Sequence, residues 1–173
     1  MRTITGAVIC MLLTITCAQA QSKAQSKDPE SLRGLKGVRL TLSFGRADAM
    51  DAERRPVVLK TLRDDAEAKF VKAGIPLLKF AQEFENALGS PHFMVMITLD
   101  RPNGYVFPVV TESRLFQKAR LSRDSSVELS VSTWESHSVG AYDIKDLDML
   151  RMQVGKEVDE FIKAYLTANP EPR

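Results

Sequence analysis

The sequence predicts an α+β domain: a mainly antiparallel sheet in the order β-α-β-β-β-β-α, with two helices packed on one face. Three observations carry that expectation. Val38, Leu40, Leu42 and Phe44 alternate with Arg39, Thr41 and Ser43, the two-residue period of a half-buried strand. Two longer segments, following Pro56 and Asp146, instead repeat apolar residues at three- and four-residue intervals. Between them, Pro102-Asn103-Gly104 supplies a turn flanked by strand-like runs.

The elements follow in order. Residues 1–20 read as a secretory signal: Arg2 gives the positive start, Ile4 to Ile15 the apolar run, and Ala18-Gln19-Ala20 the small residues of a cleavage site. That run is too short to span a bilayer, which takes roughly 20 apolar residues, so no membrane-spanning segment is expected. Cys17 raises lipidation as an alternative, but Thr14-Ile15-Thr16 lacks the small residue a lipobox places before its cysteine. Residues 21–31 are polar, with Gln-Ser-Lys at Gln21 and again at Gln25, and read as a flexible leader. A single domain is expected over residues 32–168, with a tail at 169–173 that the two prolines of Asn169-Pro170-Glu171-Pro172 terminate.

Within the domain, the first strand runs from about Gly37 to Phe44. A helix starts near Pro56, carries Val58, Leu59, Leu62, Ala66, Phe70 and Ala73 on one side, and stops at Gly74. Ile75-Pro76-Leu77-Leu78 reads as an edge strand, since proline cannot donate to a ladder on both sides. Residues 79–89 fit either extended chain or a helical turn. From Phe93 to Leu99 apolar residues occupy both faces, with Met94 and Met96 opposite Phe93, Val95 and Ile97, as expected of a central strand covered twice. A long strand then spans Tyr105 to Leu121, bent near Pro108 to Glu112, and Ser122 to Ser126 turns it into Val127 to Trp134. The last helix, about Asp146 to Thr167, buries Leu147, Leu150, Val154, Val158, Phe161, Ile162 and Tyr165. Gly155 interrupts it at a cost of about 0.5–1 kcal/mol relative to alanine.

This element order, with Val158-Asp159-Glu160-Phe161-Ile162 closing the last helix before Asn169-Pro170, resembles small exported bacterial proteins of unassigned function. It is also similar to the amino-terminal domain of the Tol-system periplasmic β-propeller protein and its curli-secretion relatives. The resemblance implies an envelope binding or assembly module, in periplasm or secreted, and transfers no functional residue.

Composition narrows the chemistry. The net charge of +2 is well mixed along the chain and calls for neither nucleic acid nor an anionic membrane. Both cysteines, Cys10 and Cys17, lie in the signal, so the mature chain is expected to use no disulfide, thiol or cysteine-bound metal. It carries no phosphate-cradling glycine loop, no Gly-x-Ser-x-Gly elbow and no His-Glu-x-x-His helix, and no cofactor is expected. Its two histidines allow one thin metal set, His92 with Glu135 and His137, against the three protein ligands a catalytic zinc takes.

The last hairpin offers a surface. If Leu121 pairs with Val127, then Arg120 faces Glu128, Lys118 faces Ser130, Phe116 faces Ser132 and Arg114 faces Trp134. The resulting strip of Arg114, Phe116, Lys118, Arg120 and Trp134 has the residue mix that interfaces favour and fits a protein or glycan partner. The opposing reading is a solvated basic face, with Phe116 or Trp134 tucked inward. The functional expectation is therefore a non-catalytic envelope binding or assembly module. Two alternatives are a small exported hydrolase and a homo-oligomeric subunit associating through Ile75 to Leu78.

Overall fold

The computed structural model describes residues 29–48, 50–100, 107–142 and 147–170. The expected signal, most of the leader and the Pro102-Asn103-Gly104 turn lie outside the described residues. A short 3-10 turn, Pro29–Leu32, comes first, so the leader drawn to Ser31 ends inside an ordered element. There follow β1 (Arg39–Ala47), α1 (Arg54–Lys72), α2 (Ala81–Asn86), β2 (His92–Leu99), β3 (Phe107–Leu121), β4 (Asp124–Tyr142) and α3 (Leu147–Ala168).

The four strands lie in the order β1-β2-β3-β4. β1 and β2 are parallel, while β2–β3 and β3–β4 are antiparallel. The α+β class holds, but the sheet is mixed rather than mainly antiparallel. The cause is α1: its 19 residues span about 28 Å and carry the chain back to the start of β1, so β2 leaves in the same direction. The edge strand expected at Ile75–Leu78 does not form. Gly74, at φ +70°, ends α1; Pro76 then has no N–H to give, and only one bridge closes, between Val38 and Leu77. The ambiguous stretch after Leu78 contains α2.

β2 is central but, among the described residues, covered on one face only. Phe93, Val95, Ile97 and Leu99 are buried on one face, whereas Met94 and Met96 are half-buried on the other. α1 and α3 both pack on the Phe93 side. There Phe93 stacks on Phe161 of α3 at 4.1 Å between ring centroids, and Phe70 of α1 meets each of them at 5.9 Å. We call this the covered face and its reverse the open face. The small α2 belongs to the open face: its Phe84 sits edge-on to His92 and under the Arg39 guanidinium. Gly155 also finds a use, because a Cβ there would stand 3.3 Å from Lys69 Cε. The Lys69 side chain passes over it to reach Asp159 at 2.7 Å.

The β3–β4 ladder decides which side chains reach the core. β3 is regular through Pro108 to Glu112, where a bend was expected; the interruptions fall at Leu115/Phe116 and Arg120/Leu121. β4 resumes at Asp124, giving a two-residue turn instead of five, and runs eight residues beyond the expected end at Trp134. From Arg120↔Glu128 to Phe116↔Ser132 the pairing is the expected one. Thr133 is then an extra residue, a β-bulge, so Leu115 faces Trp134 and Arg114 faces Glu135. At the chain ends, Asn169 bonds Gly34 N and Leu32 O, tying the end of α3 to the amino-terminal turn. Among the described residues no helix is long and apolar enough to cross a membrane.

Candidate functional site

The open face is built by alternation. On β3, residues 109, 111, 113 and 115 turn toward the helices and are buried, leaving Glu112, Arg114 and Phe116 half-exposed on the reverse. Glu135 and His137 of β4 pair with Arg114 and Glu112, and Met94 and Met96 flank the same two residues from β2. Arg114 ion-pairs with Glu112 at 3.1 Å and with Glu135 at 3.7 Å. Nearer the hairpin tip, Glu128 receives Lys118 at 3.4 Å and Arg120 at 3.7 Å. A shallow recess of about 150 Å³ lies among Glu112, Arg114, Glu135 and His137. The cationic strip is thus partly neutralised by carboxylates on its own face. Exposed pairs of this kind are each worth about 0–1 kcal/mol.

Arg114, Phe116, Lys118 and Arg120 do share this face, as the hairpin pattern indicated. Trp134 does not. The extra residue at Thr133 shifts the alternation by one, turning the indole onto the covered face, where it is 1% exposed. It meets Phe161 at 5.2 Å and 80°, an edge-on contact. An Arg114–Trp134 contact is therefore replaced by Arg114–Glu135. Ser132-Thr133-Trp134 contains no glycine to mark the bulge, and a period of two read straight through it returns the wrong face.

The thin metal set is not assembled. Glu135 and His137 share the open face of β4, but His92 lies two strands away at the start of β2, paired with Phe116. Two strand spacings amount to about 9.5 Å before any stagger along the strands. His92 instead bonds Thr41 Oγ1 through Nε2 at 2.9 Å. Among the described residues no group of three histidine, cysteine or acidic side chains is placed to hold a metal ion. Glu112, Met94 and Met96 belong to the open face but were not singled out beforehand. Their signal was present: each occupies the alternate positions of a strand whose other face is apolar or small.

Burial, and after it the charge of Arg39, hold the His92 imidazole below its ordinary value of 6.5. The folded chain then takes up this proton less readily than the unfolded chain does. The associated stability is present above about pH 6.5 and is lost as pH falls through that value toward the lowered one. Urea denaturation is expected to show declining stability from about pH 7 to about pH 5, and His92→Gln to flatten that decline. An unchanged slope in the variant would remove His92 as its source.

Fold and site together define a small α+β sheet-and-helix domain whose sheet has one face largely open among the described residues. No protein-family model and no curated protein matches the chain. Among solved structures it is similar to a point-mutant form of the PelC dodecamer from Paraburkholderia phytofirmans, at 10% sequence identity and a TM-score of 0.38. That match covers 73% of this chain and 89% of the other.

Proposed function

We propose that this protein is a non-catalytic binding or assembly module of the cell envelope, and that it engages a protein or glycan partner through the open face around Arg114 and Phe116. The observation carrying this reading is a sheet face that holds an aromatic ring, two thioethers, a guanidinium and two carboxylates, with Phe84 of α2 over one end among the described residues. Arginine and aromatic residues are the side chains on which binding energy concentrates. A guanidinium held between two carboxylates is oriented before a partner arrives, which lowers the entropic cost of recognition. Export is supported by the charged start, apolar run and Ala-x-Ala ending of the first 20 residues.

The test is affinity capture from a native envelope extract with the wild type and with Arg114→Ala combined with Phe116→Ala. Both side chains are partly exposed, so the double variant is expected to retain its far-ultraviolet circular dichroism and cooperative unfolding. Partner recovery is expected to fall at least tenfold, about 1.4 kcal/mol of binding free energy. Undiminished recovery by the folded variant would reject the open face as the binding surface.

A further inference from the structure

Beneath α3 the covered face changes character. Away from the aromatic cluster, β3 contributes Thr111 and Ser113, β4 contributes Ser136 and Ser138, and α3 contributes Gln153 and Glu157, one helical turn apart. Thr111↔Ser138 and Ser113↔Ser136 are directly paired, so the six side chains form two adjacent polar rows between sheet and helix. The seam is largely buried: Thr111 and Ser113 are 0% exposed, Glu157 1%, Ser136 2% and Gln153 6%, while Ser138 at its margin is half-buried.

Two independent features set this seam apart from an ordinary buried hydrogen-bond network. First, Glu157 receives one hydrogen bond, from Ser113 Oγ at 2.8 Å, and among the described residues no cation pairs with its carboxylate. A charge in that position is costly unless something neutralises it. Second, Thr111 Oγ1, Ser138 Oγ and Gln153 Oε1 are buried without a hydrogen-bond partner. Gln153 Nε2 bonds Ser138 O at 3.2 Å and Val109 O at 3.4 Å, which seats the amide directly over that row. Buried polar atoms are rarely left unmatched, and three neighbouring oxygens of this kind are a set that a bound species would satisfy.

We propose that this seam binds a monovalent alkali cation. The seam's ligating groups are all oxygens, namely a carboxylate, four hydroxyls (two of them unpartnered) and an amide carbonyl, the set that hard cations take. One carboxylate with neutral oxygens balances a single positive charge; Ca²⁺ sites generally recruit more carboxylates. The seam adjoins the surface at the edge of the sheet. Ser136 Oγ bonds Glu160 at 2.9 Å, and Glu160 lines a groove of about 400 Å³ between β4 and α3. The seam lies on the opposite side of the sheet from Arg114, so it stands or falls independently of the proposed partner.

Trp134, the one tryptophan of the chain, lies on the same face two residues from Ser136 and reports on the seam through its fluorescence. The experiment follows thermal unfolding and Trp134 emission of the full chain in NaCl, KCl or tetramethylammonium chloride at equal ionic strength. A ligand present at ten times its dissociation constant raises the folded-to-unfolded ratio about tenfold. The wild type is expected to gain that much, saturably, in Na⁺ or K⁺ over tetramethylammonium, and Glu157→Gln to lose the difference. Should Glu157→Gln fail to fold, Thr111→Val removes one donor at nearly constant volume and is expected to weaken the response. Equal behaviour in the three salts would overturn the proposal, leaving water as the ligand. A larger response to CaCl₂ at the same ionic strength would overturn the monovalent assignment. An alkali preference unchanged in Glu157→Gln and in Thr111→Val would show that the ion binds elsewhere.

Discussion

Trp134→Ala is expected to cost about 3–5 kcal/mol of folding stability, the range for removing a large aromatic from a core. The indole is buried on the covered face and touches both Phe93, at 6.0 Å between centroids, and Phe161, at 5.2 Å. Those two rings stack on each other and reach α1 through Phe70, so the cavity would open where both large helices meet the sheet. Rigid neighbours collapse poorly into such a space, which puts the cost toward the upper end. For a domain of this size the thermal midpoint should drop by about 10 °C or more. Trp134→Phe should recover most of the loss, since the indole N–H has no partner to forfeit among the described residues. A midpoint within a degree of wild type in the alanine variant would place the tryptophan outside the core. The surface reading of the hairpin gives the opposite expectation, with folding intact and binding lost, so this one substitution separates the two registers.

Deleting single residues of β4 should give a more uneven result. Removing Ser136 leaves the chain two ways to pair, and both fail. If the bulge stays, His137 and Val139 turn toward α3, and the contacts of Ser136 with Glu160 are gone. If the bulge is absorbed, Trp134 turns to the open face. The deletion is expected to abolish cooperative folding. Removing Thr133 instead joins two stretches already in register, Phe116↔Ser132 and Leu115↔Trp134. Its cost includes the hydrogen bonds of the threonine hydroxyl, from Gln117 Nε2 at 2.7 Å and to Leu115 O at 3.4 Å, about 1–2 kcal/mol together. Denaturant titrations monitored by circular dichroism read both. Similar losses for the two deletions would mean that Thr133 is not a removable insertion.

Much of this architecture was legible where one periodicity ran uninterrupted. β1, α1, β2 and α3 each present a clean apolar stripe, and the predicted stripe residues of α1 and α3 are buried or half-buried. The tip of the hairpin was legible as well, because Arg120 opposite Glu128 follows from alternation alone. The direction of β2 was not, since a strand pattern carries no polarity; only the helix preceding it does. Ile75 to Leu78 misled because four apolar residues beside a proline look strand-like, whereas one bridge to Val38 was all the geometry allowed. The seam under α3 was hidden differently. Thr111 and Ser113 alternate with Glu112 and Arg114, so both faces of β3 read as polar there, and only packing reveals which pair is buried. The candidate face was half legible for the same reason: four of its five strip residues follow the period, and the fifth lies beyond the bulge.

The extra residue in β4 has a consequence for solubility. β4 is an edge strand of 19 residues with no lysine, arginine or proline, a long row of backbone groups on which a neighbouring chain could template itself. A bulge bends its strand and steepens the local twist. The displacement at Thr133 therefore divides the edge beyond Glu128 into two shorter stretches that a flat intruding strand cannot follow end to end, and Glu128 and Glu135 place a carboxylate on each side of the break. The irregularity that turns Trp134 inward thus also protects the molecule against cross-chain aggregation.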